Sequence, residues 1–158
     1  MAETAALISP NKKVLVPALG AGCTLADGVC GENLAQWKAA NPDGVVVSYV
    51  NTTAEVKAYT DICCTSANAL SIVKGLPADK KVFFVPDRNL GSYIISQTGR
   101  KMELYDGCCK VHDQVTTQMV LDMMAKYPEA DVLIHPESAC SSDPVILDNP
   151  NCYMYSTS

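Results

Sequence analysis

Asn41 to Asn51 reads NPDGVVVSYVN, and Tyr127 to Glu137 reads YPEADVLIHPE. The two stretches superpose without a gap at a spacing of 86 residues. Each reads as the end of a helix, a proline-acidic turn, a buried strand, and then polar residues where the strand stops. Outside the stretch the spacing holds at chemically marked positions: Cys23 with Cys109, Asp27 with Asp113, Tyr49 with His135, Asn51 with Glu137. A repeat is one supersecondary unit used again, so equivalent positions take equivalent places. A cysteine and a polar strand end that recur together point to a shared site. The same spacing sets Met1 against Asp87 and predicts a further cysteine near about position 195 if the repeat continued.

Further apolar runs predict strands at Val14 to Pro17, Val45 to Val50, Val82 to Val85, Met102 to Tyr105 and Val132 to Ile134. They are rich in β-branched residues and mostly do not alternate, as in parallel strands covered on both faces. Helical patterns fall between them, at Glu32 to Ala40, Ala54 to Tyr59, Ala67 to Gly75, Leu90 to Gln97 and Thr116 to Lys126, with Thr53, Ser66, Asn89 and Thr116 as caps. Strands that alternate with helices predict an α/β fold with short parallel sheets in α/β/α layers.

The 158 residues are 48% apolar and 18% charged, enough apolar surface for a core. The net charge of −5, with no lysine or arginine run, argues against nucleic acid or an anionic membrane as the main partner. No stretch approaches the roughly 18 apolar residues of a membrane helix. The start, MAETAALISPNKK, lacks the basic-then-apolar order of a secretion signal. The eight cysteines therefore read as cytoplasmic metal or cluster ligands or as small buried hydrophobes, rather than disulfides. Burial is the reading for Cys30 and Cys63, and less firmly for Cys64 and Cys108.

Cys23 lies in LGAGCTLADG and Cys109 in YDGCCKVHD, each after a predicted strand and each with a glycine one or two residues before it. Glycine permits close backbone approach to a bulky inorganic group, and thiolates ligate zinc and iron–sulfur clusters. His112 follows Cys109 by three residues, and His135 ends a strand beside Glu137. In open α/β sheets ligands bind beyond the carboxyl ends of the strands. Tyr49, Asn51, Asp87, Asn89, His135 and Glu137 all fall there, although turn formation and capping explain Asp87 and Asn89 equally well. Thr65-Ser66 and Thr157-Ser158 place hydroxyls where a helix start would bind a carboxylate or phosphate.

At these residues the chain resembles the quinolinate synthase family, iron–sulfur enzymes of NAD biosynthesis. The matching stretches are MAETA, AGCTLAD, VVSYVNTTAEVKAYTDICCTSANA, FVPDRNLGSYI, GCCKVHD, LIHPE and the terminal STS. The resemblance implies a pseudo-threefold triangle of α/β domains. A [4Fe–4S] cluster sits where they meet, held by one cysteine from each, with one iron open to substrate. It also implies condensation of iminoaspartate with dihydroxyacetone phosphate to quinolinate. Cys23 and Cys109 are then cluster ligands. Tyr49, Asn51, Ser66, His112, His135, Glu137, Ser156 and Thr157 match substrate-binding positions, with Glu137 the acid/base, His135 holding carboxylates and Tyr49 positioning substrate.

Departures accompany the match. The family has a strand and substrate-binding His, Tyr and Ser residues before its first cysteine ligand, and it has a third cysteine. Ser138 stands where the family often has cysteine, and SACSSDPVILDNPNCYMY is long and adds Cys140 and Cys152. The expectation is a fragment: residues 1–22 ending one repeat, 23–108 a complete middle repeat, 109–158 beginning a third. Such a chain would expose sheet edges and apolar faces, have little activity alone, and need the missing domains or a second chain. The competing expectations are a binding or assembly fragment, and zinc held by Cys23, Cys109, His112 and His135.

Overall fold

The computed structural model describes residues 1–157. Ser158, in the terminal hydroxyl motif, lies outside the described residues. The order is α1 (Ala2–Ile8), α2 (Gly31–Ala40), β1 (Val45–Tyr49), α3 (Ala54–Lys57), β2 (Ile62–Cys64), α4 (Ala69–Gly75), β3 (Val82–Val85), α5 (Arg88–Thr98), β4 (Glu103–Leu104), α6 (Thr117–Lys126), β5 (Val132–Ile134), α7 (Pro144–Leu147) and β6 (Cys152–Met154). Short 3-10 helices cover His112–Gln114 and Ala139–Ser142.

Strands β2-β1-β3-β4 form a parallel sheet in that order, and β5 pairs with β6 in a separate parallel pair. Side chains of a strand alternate between faces, and both faces of the larger sheet are covered. Val47, Val82 and Phe84 pack with Ala69 and Val73 of α4 and Leu90 and Ile94 of α5. Val46 and Val85 pack with Leu34 of α2 and Val56 of α3. Trp37 stacks on Phe83, ring centroids 5.3 Å apart, and its indole N–H donates to Glu103. A smaller core joins Val120, Ile134, Cys140 and Ile146 on one face of β5-β6.

The repeat survives as geometry. Helices α2 and α6 occupy equivalent residues, and α1 begins where α5 begins once the spacing is applied. Three backbone bonds of the turns match. Asn41 N–H reaches Trp37 O as Tyr127 N–H reaches Met123 O, Gly44 reaches Asn41 as Ala130 reaches Tyr127, and Thr52 reaches Tyr49 as Ser138 reaches His135.

Several local expectations change. Val14 to Pro17 is irregular and not a strand, because no described strand pairs with it; Leu15 stands 88% exposed. Two strands, Ile62–Cys64 and Cys152–Met154, and helix α1 come without forewarning from the apolar pattern. Thr53 and Thr116 cap α3 and α6 through their side chains. Asp87 and not Asn89 caps α5, and α4 begins after Asn68, two residues beyond Ser66. Asn68 Oδ1 instead accepts the Thr65 N–H at 2.7 Å. Cys30 and Cys63 are exposed rather than buried: Cys30 precedes a helix, and Cys63 points outward from the edge strand β2.

Candidate functional site

Two turns carry the candidate cysteine ligands, and they have the same hydrogen bond. Asp27 N–H donates to Cys23 O at 2.8 Å, and Asp113 N–H donates to Cys109 O at 2.8 Å. Both thiols are free and half-buried. The turns also touch. A Cβ on Gly107 would lie 2.6 Å from Pro86 O and 3.1 Å from Leu25 Cδ1, so this glycine lets the Cys109 turn approach β3 and the Cys23 turn. At Gly22 a Cβ would meet only the end of the exposed Asp27 side chain, at 2.4 Å, which can swing aside. The tight neighbour of Gly107 is protein backbone. The Tyr105 hydroxyl adds a further tie by donating to Gly28 O at 2.7 Å.

Asp87 holds the Cys109 turn from below. Its Oδ1 accepts Leu90 N–H at 2.8 Å, and its Oδ2 accepts Cys109 N–H at 3.2 Å. Burial pushes this carboxyl above its usual range and the charge of Glu137 adds to the rise, against the pull of the Leu90 and Cys109 N–H groups. Asn51, just past β1, donates to Cys23 Sγ at 3.7 Å, while its buried Oδ1 has no partner among the described residues. That buried acceptor is open to a hydrogen-bond donor.

The strand ends of β1 and β5 face one another. Tyr49 Oη lies 3.4 Å from Ser66 Oγ. Burial raises the Tyr49 phenol, the Ser66 hydroxyl opposes this, and the nearby Glu137 carboxylate reinforces it. His112 Nδ1 lies 3.0 Å from Glu137 Oε2, and the His112 and His135 rings stack at 4.5 Å with 19° between planes. His135 Nδ1 accepts Glu137 N–H at 3.3 Å. Burial lowers the His135 pKa and the adjacent His112 lowers it further, which disfavours the charged ring. One donor atom from each of His112, His135 and Glu137 lies within 4.8 Å of the other two.

The structure thus brings Tyr49, Ser66, His112, His135 and Glu137 into one neighbourhood, with Asn51 beside Cys23. The parallel register sets Tyr49 against Cys64 and Ile134 against Met154. By this register Thr157 occupies beside β5 the place Ser66 occupies beside β1. Thr157 is exposed and Ser156 half-exposed. Among the described residues, the group of three or more metal-capable side chains does not include Cys23 or Cys109, so the expected four-donor zinc set is not assembled. Cys140 is buried in the smaller core, and Cys152 packs there against Met124, its Sγ 3.7 Å from Met124 Sδ. Asn89, which the sequence offers as a cap or a ligand-facing residue, does not cap α5. It donates to Asp113 Oδ1 at 2.9 Å and to Glu137 O at 3.1 Å.

The donor set fits an iron–sulfur cluster as far as this chain supplies it. Two free thiols stand on equivalent, mutually packed turns. Cysteine thiolates are the ordinary cluster ligands.

Fold and site define an α/β protein whose thiols, imidazoles and hydroxyls gather beyond the carboxyl ends of short parallel strands. The chain belongs to the Quinolinate synthetase A protein family, whose model matches residues 1–158. It is 49% identical over 142 residues to a quinolinate synthase of Pyrobaculum aerophilum, covering 90% of this chain and 46% of that protein. It is 48% identical over 157 residues to one from Thermus thermophilus, covering 99% and 50%. With one from a Synechococcus species it shares 50% over 137 residues, covering 87% and 43%. The chain spans about half the length of the curated relatives it matches. No described helix is long and apolar enough to cross a membrane.

Proposed function

We propose that this chain supplies part of the active site of a cytoplasmic quinolinate synthase. That enzyme condenses iminoaspartate with dihydroxyacetone phosphate to quinolinate, with release of phosphate and water. The observation that carries the reading is the convergence of Tyr49, Ser66, His112, His135 and Glu137 at facing strand ends, next to the paired cysteine turns. Residues 1–22, 23–108 and 109–158 would be the end, the whole and the beginning of successive units of a pseudo-threefold enzyme. Activity of this chain alone is expected to be slight, with the remaining domains or a second chain as partner.

Cys23 and Cys109 would hold a [4Fe–4S] cluster. When bound, its open iron would supply Lewis-acid polarisation of a leaving hydroxyl. The chain's own groups do the rest. Glu137, 10% exposed and hydrogen-bonded to His112, is placed to move a proton next to an imine or carbonyl. His135, whose burial disfavours the charged ring, can offer a hydrogen bond to a substrate carboxylate. Burial keeps Tyr49 a phenol, with the Ser66 hydroxyl beside it. Asn51 and the Ser156 and Thr157 hydroxyls complete the polar lining proposed for anionic substrate.

Anaerobic reconstitution with iron and sulfide tests this reading. Cluster uptake that is lost in Cys23→Ala and Cys109→Ala is the expected result. Equal uptake by the double variant would overturn the ligand assignment, and multiple-turnover quinolinate formation by the isolated chain would overturn its expected inactivity. A second reading is favoured by the His112–His135–Glu137 grouping, which could hold a divalent ion with imidazole and carboxylate donors. Stoichiometric zinc retention that survives loss of both cysteines would support it.

A further inference from the structure

The spacing of 86 makes α1 the counterpart of α5. In both units a side chain from the first turn of that helix holds a carbonyl just beyond the neighbouring strand. In the first, Thr4 Oγ1 donates to Val50 O at 2.8 Å, one residue past β1. In the second, Asn89 Nδ2 donates to Glu137 O at 3.1 Å, three residues past β5. Asn89 goes further, because the same amide nitrogen donates to Asp113 Oδ1 at 2.9 Å. Asp113 belongs to the Cys109 turn and donates its own N–H to Cys109 O.

We propose that Asn89 is a positioning residue: its carboxamide fixes the Glu137 strand end against the Cys109 turn. Through it the proton-handling group and a cluster ligand share one anchor. Glu137 is held at its carbonyl by Asn89, its N–H is engaged by His135 Nδ1, and its carboxylate meets His112 Nδ1. With Asn89 removed, the backbone of Glu137 loses its tie to α5, and the contacts to both imidazoles loosen together. The Cys109 turn keeps its bond to Asp87 but loses Asn89's grip on Asp113. The effect on catalysis rests on the reading of Glu137 as the acid/base. The positional effect does not.

The chain has two histidines, and both lie at this point. Ring-nitrogen-labelled histidine therefore reports the geometry by NMR, with neither turnover nor bound cluster needed. In Asn89→Ala, the ring signals of both His112 and His135 are expected to move toward those of free imidazoles, while amides of β1 and β3 stay in place. Thr116→Ala removes a helix cap and serves as the stability control, with unchanged ring signals expected. Should Asn89→Ala fail to fold, Asn89→Asp keeps the shape and, when ionised, loses both donated bonds, so the same ring shifts are expected. Wild-type ring signals in either folded Asn89 variant would overturn the proposal, as would equal ring shifts in Thr116→Ala. Ring shifts uphold the positioning whether or not the chain takes up a cluster.

Discussion

Val47 and Leu133 hold the same place in the repeat, yet Val47 is 0% exposed and Leu133 is 70% exposed. On one face the units agree. Leu34 and Val120 are buried on equivalent helices, and Ser48 and Ile134 are buried at equivalent strand positions. On the other face α4 and α5 cover β1, while Leu133 of β5 remains bare. Even the shared face differs in part, since Trp37 stacks on Phe83 whereas its counterpart Met123 is 53% exposed. An apolar residue in a repeat records the packing the unit is suited to. Its burial depends on which elements then close over it.

The largest test of that contrast is Phe84→Ala. Phe84 is wholly buried between sheet and helices, and its loss should cost about 3–5 kcal/mol. Urea unfolding followed by the fluorescence of Trp37, the single tryptophan, measures it. Adjacent thiols offer the next. Burial pushes Cys64 up to about 12, while Cys63 is exposed. At pH 8 Cys64 should alkylate about a thousandfold more slowly than a thiol of ordinary acidity, and peptide mapping would show Cys63 labelled first. The sign for stability follows. An unfolded cysteine ionises near about 8.5, so folding loses ground as pH rises from there toward 12 and is unaffected below.

Smaller effects sharpen the same comparison. Val47→Ala should cost about 1.5–3 kcal/mol and Leu133→Ala about 0.5 kcal/mol or less. Equal losses in denaturant titrations would mean that the two faces are covered alike in solution. Thr116→Ala, at the cap of α6, should cost about 1 kcal/mol, read as a shift in thermal midpoint.

The α/β class, the repeat and most helices were legible because helix and turn signals lie within a few residues of one another. β2 and β6 were not. Each has three residues, and each exists only because a parallel partner offers a ladder. Val14 to Pro17 failed for the converse reason, having β-branched residues but no partner. Cys23, Cys109 and the strand-end residues could be picked out by spacing. Which of them meet could not, since the stacking of His112 on His135 depends on how a 3-10 helix sits against β5. Asn89 was visible only as an ambiguous polar residue. Across the repeat Asn89 stands beside Glu3, whereas the residue of α1 that binds the neighbouring strand end is Thr4, so the spacing does not single Asn89 out.

The carboxylate of Asp87 bears on which substitutions this position can accept. At an ordinary helix cap Ser, Thr, Asn and Asp are close to interchangeable, because one side-chain oxygen suffices. Here two N–H groups, from Leu90 and Cys109, each take a separate oxygen. Ser, Thr or Asn would leave one of them wanting, and Glu would push both anchor points out by a methylene. The start of α5 and the backbone of a candidate cluster ligand are thus set by a single side chain, which leaves position 87 far less room to vary than its role as a cap would suggest.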